Sequence, residues 1–129
     1  MPEIERIDSP DLHPPSGYSH AVRYGNVAYI AGAASLDIDG NVVGVDDPEA
    51  QVQQTLENLK IALAAVGANL SNLVKWTVYL TDESYIPAWR RVRSRFIAED
   101  VRPAGALLII SGLARPELIV EVEGIAIID

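Results

Sequence analysis

The sequence predicts an α+β fold: one mixed sheet of about six strands, with two helices packed on one of its faces. Three observations carry that expectation. Two stretches repeat apolar residues at helical spacing, and several others alternate, or run apolar, in strand-length pieces bounded by turn residues. The two kinds interleave as β-β-α-β-α-β-β, with one further strand admissible before the first. At 129 residues, about half of them hydrophobic, the chain has the size of one ordinary domain, and residues 1–129 are read as one.

The N-terminal segment reads as extended and Pro-rich, with Ser9-Pro10 and His13-Pro14-Pro15. Residues 21–24 and 27–31 are strands joined by Gly25-Asn26, a two-residue signal for a tight hairpin. The cluster Asp37-Ile38-Asp39-Gly40-Asn41 between Leu36 and Val42-Val43 predicts a surface turn. From Pro48 the pattern turns helical, with Val52, Leu56, Leu59, Leu63 and Val66 on one stripe. Asp47 is a natural N-cap, Pro48 suits the first helical position, and Gly67 supplies a left-handed stop.

Residues 73–80 alternate as a strand, placing Val74, Trp76, Val78 and Leu80 on one face and Lys75, Thr77 and Tyr79 on the other. A second helix carries the stripe Tyr85, Trp89, Val92 and Phe96, and Pro87 is tolerated because the N–H groups of a first turn have no intrahelical partner. Residues 104–110 and 118–128 form the last two strands.

Two helices blanket only one face of such a sheet. In 104–110 neither parity is polar, and in 118–128 the set Leu118, Val120, Val122, Ala126, Ile128 alternates with Ile119, Glu121, Glu123, Ile125, Ile127. An apolar face of several hundred Å², at roughly 25 cal/mol per Å², drives association, so a closed symmetric oligomer is expected. The competing reading threads one of these strands through the middle of a monomeric sandwich.

Composition narrows the function. A net charge of -8 repels phosphate backbones and anionic membranes, so neither nucleic acid nor a membrane is an expected partner. Without cysteine there is no disulfide, thiolate nucleophile or zinc–cysteine site, and two histidines far apart in sequence give no metal spacing. Neither a metal nor a cofactor is expected. The first residues lack a basic, apolar leader pattern and no apolar run reaches the roughly 18 residues of a membrane span, which fits a cytoplasmic protein.

Several strings, in order over nearly the whole length, resemble the RidA (YjgF) family. They are Ser9-Pro10 with Gly17-Tyr18-Ser19-His20-Ala21, then Val27-Ala28-Tyr29-Ile30-Ala31-Gly32, and Gln53 with Thr55-Leu56-Glu57-Asn58-Leu59-Lys60. Val74-Lys75-Trp76-Thr77-Val78-Tyr79-Leu80-Thr81-Asp82, Arg102-Pro103-Ala104 and Glu121-Val122-Glu123-Gly124-Ile125-Ala126 follow. The resemblance implies a homotrimer with a central barrel, helices outside and three small-molecule clefts between subunits. It also implies hydrolysis of reactive imines and enamines, such as 2-aminoacrylate, to a keto acid and ammonia.

In that family an arginine directly after the Pro-Ala pair holds the substrate carboxylate; here the position is Gly105, which has no side-chain donor. The chain is therefore expected to be a divergent member with altered or lost deaminase chemistry, the alternative being an active deaminase that uses another arginine. Arg102 and Arg115, which flank the last two strands, are the candidates by position. Glu121 matches the family carboxylate that orients water, a general acid/base task, against a reading of Glu121 and Glu123 as interface carboxylates. Tyr18 matches the aromatic wall of the cleft. Ala31, Gly32 and Ala33 are small enough to bring backbone N–H groups to a ligand, and Gly105, Ala106 and Leu107 complete the expected ligand-binding set.

His20 is read as structural rather than as a base, His13 as a loop residue, and the run Arg90, Arg91, Arg93, Arg95 as a solvated helix face. A translation inhibitor or endoribonuclease, attributed to some relatives, is opposed by the 18 Asp and Glu against 10 Lys and Arg.

Overall fold

Six strands form one mixed sheet in the order β1-β2-β3-β6-β4-β5, in a computed structural model that describes residues 2–129. They are β1 (Ile4–Ile7), β2 (Ala21–Tyr24), β3 (Val27–Ala34), β4 (Leu73–Leu80), β5 (Ala104–Ile109) and β6 (Val120–Ile127), with helices α1 (Pro48–Ala65) and α2 (Ile86–Phe96). All neighbouring pairs are antiparallel except β4 and β5, which run parallel because α2 lies in the connection between them. The fold class is the one the sequence predicts. Among the described residues no helix is long and apolar enough to cross a membrane.

The ends of α1 follow from its punctuation. The Asp47 side chain accepts from the Ala50 N–H, Pro48 occupies the first turn, and Gly67 stands at φ +79° just past the end. Val52, Leu56, Leu59, Leu63 and Val66 are all buried, packed with Trp89 and Val92 of α2 against Ala28, Ile30, Val78, Val120 and Val122 of the sheet. Both helices therefore cover the same face. The arginine run is partly engaged rather than wholly solvated, since Arg91 and Arg95 reach Glu49 of α1 at 3.2 and 3.7 Å.

One strand assignment is corrected. Val74 is exposed and Leu73 is buried, because the pairing of β4 with β6 slips between Leu73 and Lys75. The bulge inserts one residue and throws Val74 to the other face, after which Trp76, Val78 and Leu80 resume the alternation. The hairpin at Gly25-Asn26 is present, with β3 running on to Ala34, and Leu36 pairs with Val42 around the predicted turn.

β5 lies at the free edge of the sheet and its residues are exposed on both faces, so within one chain it is not the central strand of a sandwich. The face away from the helices carries a polar middle, where the Tyr79 hydroxyl donates to Glu123 at 2.7 Å beside Thr77 and Lys75. Exposed Tyr29 and Leu108 flank it.

Two amides of α1 tie down the loops that frame this sheet. Gln51 donates to the Glu117 carbonyl at 2.7 Å and accepts from the Ile119 N–H at 3.0 Å, while Asn58 donates to the carbonyls of Ala34 and Leu36, both at 2.8 Å. Each carbonyl is thereby satisfied in the interior, and the exit of β3 is held against the start of β6.

Candidate functional site

A bulge in β3 starts the site. Between Ile30 and Ala33 the pairing with β6 takes in an extra residue, which turns Ala31 and Gly32 away from regular strand geometry. Glu121 of β6 lies against that bulge. A Cβ on Gly32 would stand 2.5 Å from the Glu121 Oε2, so the missing side chain at position 32 is what admits the carboxylate. The Ala31 N–H is already engaged, donating to the His20 carbonyl at 3.0 Å, and is removed from the backbone donors expected to meet a ligand.

Residues 8–20 pack across the bulge and are pinned by His20. Buried His20 accepts the Ser9 N–H on Nδ1 at 3.0 Å, its Nε2 lies 3.0 Å from the His13 carbonyl, and its own N–H donates to Asp8 at 3.1 Å. The structural reading of this histidine holds, since both ring nitrogens are engaged by backbone. The pinned loop presents Tyr18, 46% exposed, and His13, whose Nε2 sits 3.0 Å from the Tyr18 hydroxyl.

The result is a cleft of about 470 Å³ bounded by Tyr18, Ala31, Gly32, Arg115 and Glu121, with His13 and Pro14 at its side. Arg115 is anchored by donation from one terminal nitrogen to the Gly40 carbonyl at 2.6 Å, which leaves further N–H groups free by count. Burial, and then the charge of Glu123 two residues along the strand, push the Glu121 carboxyl above the usual carboxylate range. Burial, followed by the proximity of Glu121 and Asp8, raises the Tyr18 phenol. A carboxyl that holds its proton more tightly than usual, beside a hydroxyl and a guanidinium, has the parts needed to move a proton and to hold an anion.

The sequence-derived site set divides. Tyr18, Ala31, Gly32, Glu121 and Arg115 meet in the cleft, while Ala33 lines a small adjoining cavity with Leu12 and His20. Gly105, Ala106 and Leu107 lie on the exposed edge strand. Arg102 pairs with Glu99 at 3.1 Å and borders a separate hollow with Trp76 and Arg93. Within one chain it does not approach the cleft. Sequence reasoning set His13 aside as a loop residue, and only the loop's return over β3 brings it to Tyr18.

The raised Glu121 carboxyl gives a test on stability. The folded carboxyl binds its proton more tightly than the unfolded one. Stability is therefore fullest below the ordinary value of 4.5 and is lost as pH rises through the higher native value. Glu121→Gln lacks that step. Its melting temperature relative to wild type is expected to climb as pH goes from about 4 to about 7, as followed by scanning calorimetry; a constant difference across that range would contradict the burial of this charge.

A mixed sheet with both helices on one face, and a polar cleft where its strands bulge, defines the class of α+β domain to which the chain belongs. Within that class the chain belongs to the endoribonuclease L-PSP family, the RidA/YjgF family, whose model matches residues 9–128. It is 33% identical over 109 residues to a RutC family protein of Pyrococcus horikoshii, covering 84% of this chain and 85% of the relative. It is 30% identical over 127 residues to a protein of Dermatophagoides farinae named 2-iminobutanoate/2-iminopropanoate deaminase, covering 97% and 98%. Among solved structures, RidA from the Antarctic bacterium Psychrobacter sp. PAMC 21119 superposes with a TM-score of 0.89 at 30% identity, over 96% of this chain and 99% of that one.

Proposed function

We propose that the chain assembles as a homotrimer and binds a small keto or imino acid in clefts completed by a neighbouring subunit, with imine-deaminase chemistry altered or lost at Gly105. The observation that carries this reading is the convergence of Tyr18, Gly32, Glu121 and Arg115 on one cleft, while Gly105, Ala106 and Leu107 stand on an unpaired edge open to a second copy. Arg115 takes over the carboxylate of the ligand, since a guanidinium makes charge-assisted bonds to it. On this reading Arg115→Ala weakens pyruvate binding about tenfold or more, the worth of a hydrogen bond to a charged group, and Arg102→Ala leaves it unchanged. Titration calorimetry reads both; equal affinity in Arg115→Ala and wild type would remove Arg115 from the site.

A second reading, a working hydrolytic deaminase, is favoured by the raised pKa of the Glu121 carboxyl in the cleft and by the name of the Dermatophagoides farinae relative. In that chemistry Glu121 accepts a proton from water as its oxygen bonds to the imine carbon. The C=N pair moves to nitrogen, which is protonated, and collapse of the carbinolamine releases ammonia and leaves the carbonyl. Generating 2-aminoacrylate in place and following pyruvate separates the two. Release at the uncatalysed rate, with pyruvate still bound, supports lost chemistry; acceleration on the order of 10²-fold or more supports the deaminase. Ribonuclease activity is the weakest reading, because the net charge of -8 opposes phosphate contacts.

A further inference from the structure

His13 has no part in the chemistry above, yet its ring is hydrogen-bonded to the Tyr18 hydroxyl. Its Nε2 lies 3.0 Å from that oxygen, and its Nδ1 is buried with no hydrogen-bond partner among the described residues. The loop holding it is fixed: His20 accepts on Nδ1, so its ring proton sits on Nε2 and is donated to the His13 carbonyl.

A neutral imidazole has one N–H and one bare nitrogen. With the proton on Nδ1 of His13, a buried donor would lack any acceptor, which is the rarer defect in folded proteins. With the proton on Nε2, the buried atom is only a lone pair. The cation would also carry an N–H at Nδ1. Burial first, then the proximity of His20 and Arg115, push the His13 pKa down from 6.5. The groups near the ring are Tyr18 and His20 of its own loop and Arg115 from the segment before β6, while Glu121 of β6 lines the same cleft.

We infer that His13 is a positioning residue whose Nε2–H donates to the Tyr18 oxygen and so turns the Tyr18 O–H into the cleft. The ligand must then present an acceptor to that hydroxyl, a carbonyl oxygen or an imine nitrogen. The opposite tautomer would draw the Tyr18 proton toward His13 and offer only a lone pair, selecting a donor such as an ammonium group. The ligand class rests on the proposed keto- or imino-acid reading; the tautomer does not.

Long-range ¹H–¹⁵N spectra of the full, labelled protein at about pH 7.5 read the ring protons directly, because the chain has two histidines and His13→Gln assigns them. Both are expected as neutral Nε2–H forms. An Nδ1–H or cationic His13 overturns the inference. With pyruvate as probe, His13→Leu and Tyr18→Phe are each expected to lose about five- to tenfold in affinity, and the double variant no more than Tyr18→Phe alone. His13→Gln, whose amide N–H reaches the position of Nε2, is expected to stay within about threefold of wild type. Wild-type affinity in His13→Leu would also overturn the inference. Should wild type itself fail to bind pyruvate, the ligand reading falls and the tautomer alone decides the role of His13.

Discussion

In light scattering at low micromolar concentration the protein is expected to run as a trimer of the 14.0 kDa chain, and Leu108→Glu to run as a monomer. The reason is the state of β5 in a single chain. Leu107, Leu108 and Ile109 are 37%, 45% and 48% exposed, on an edge strand that, among the described residues, pairs only with β4. An apolar edge of this kind, in a strand without prolines or charges to blunt it, asks to be covered by another copy.

A carboxylate at position 108 would need to be desolvated in the interface, which costs several kcal/mol per copy without a partner cation. That exceeds the hydrophobic gain of one leucine, about 1.5–3 kcal/mol, so association is expected to fail while the subunit core, which Leu108 does not enter, remains folded. Circular dichroism with a wild-type helical signal checks the second point. If the cleft is completed across the interface, the monomer also loses pyruvate binding. A monomeric wild type, or a Leu108→Glu trimer, would remove the basis for clefts between subunits.

The fold was largely legible because its signals were local. Asp47, Pro48 and Gly67 marked both ends of α1, Gly25-Asn26 marked the hairpin, and the alternation in β6 named the residues that are buried, Val120, Val122 and Ala126. Strand order was not legible. Periodicity states which face a residue takes, whereas the insertion of β6 between β3 and β4 depends on which edges are free when the chain returns. The bulge that expels Val74 was hidden for the same reason, since its cause lies in the register with β6.

The site was legible only as separate residues. Tyr18 and Glu121 were found through family resemblance, Gly32 through its small size, and Arg115 through its position alone. Nothing local says that a glycine must sit under Glu121, or that Gln51 and Asn58 face inward to satisfy loop carbonyls rather than outward to water. Buried amides on a helix look like surface polar residues until the chain that they bind has arrived.

Gly105→Arg, the substitution that would place here the guanidinium implied by the family resemblance, is expected to destabilise the protein by about 2–3 kcal/mol, or on the order of 10 °C in melting temperature. Gly105 lies opposite Trp76 in the parallel pair of β4 and β5. A Cβ at Gly105 would stand 2.5 Å from the Trp76 Cδ1 and 2.6 Å from the Trp76 carbonyl oxygen. The indole has no easy retreat, being 7% exposed and packed on Trp89 with ring centroids 5.3 Å apart. The obstacle begins at Cβ, so Gly105→Ala should show most of the same loss although it adds no charge and almost no bulk. Trp76→Ala removes two of the three obstructing atoms, Cδ1 and Nε1, and leaves the carbonyl oxygen. The double variant Trp76→Ala/Gly105→Arg should therefore lose less stability than the two single losses combined, with a coupling of about 1–2 kcal/mol in thermal or urea unfolding. Coupling of that sign makes Gly105 and Trp76 one packing unit, in which an arginine at position 105 is accommodated better once the tryptophan is reduced. Wild-type stability in Gly105→Ala would instead leave the glycine as a simple deletion of function.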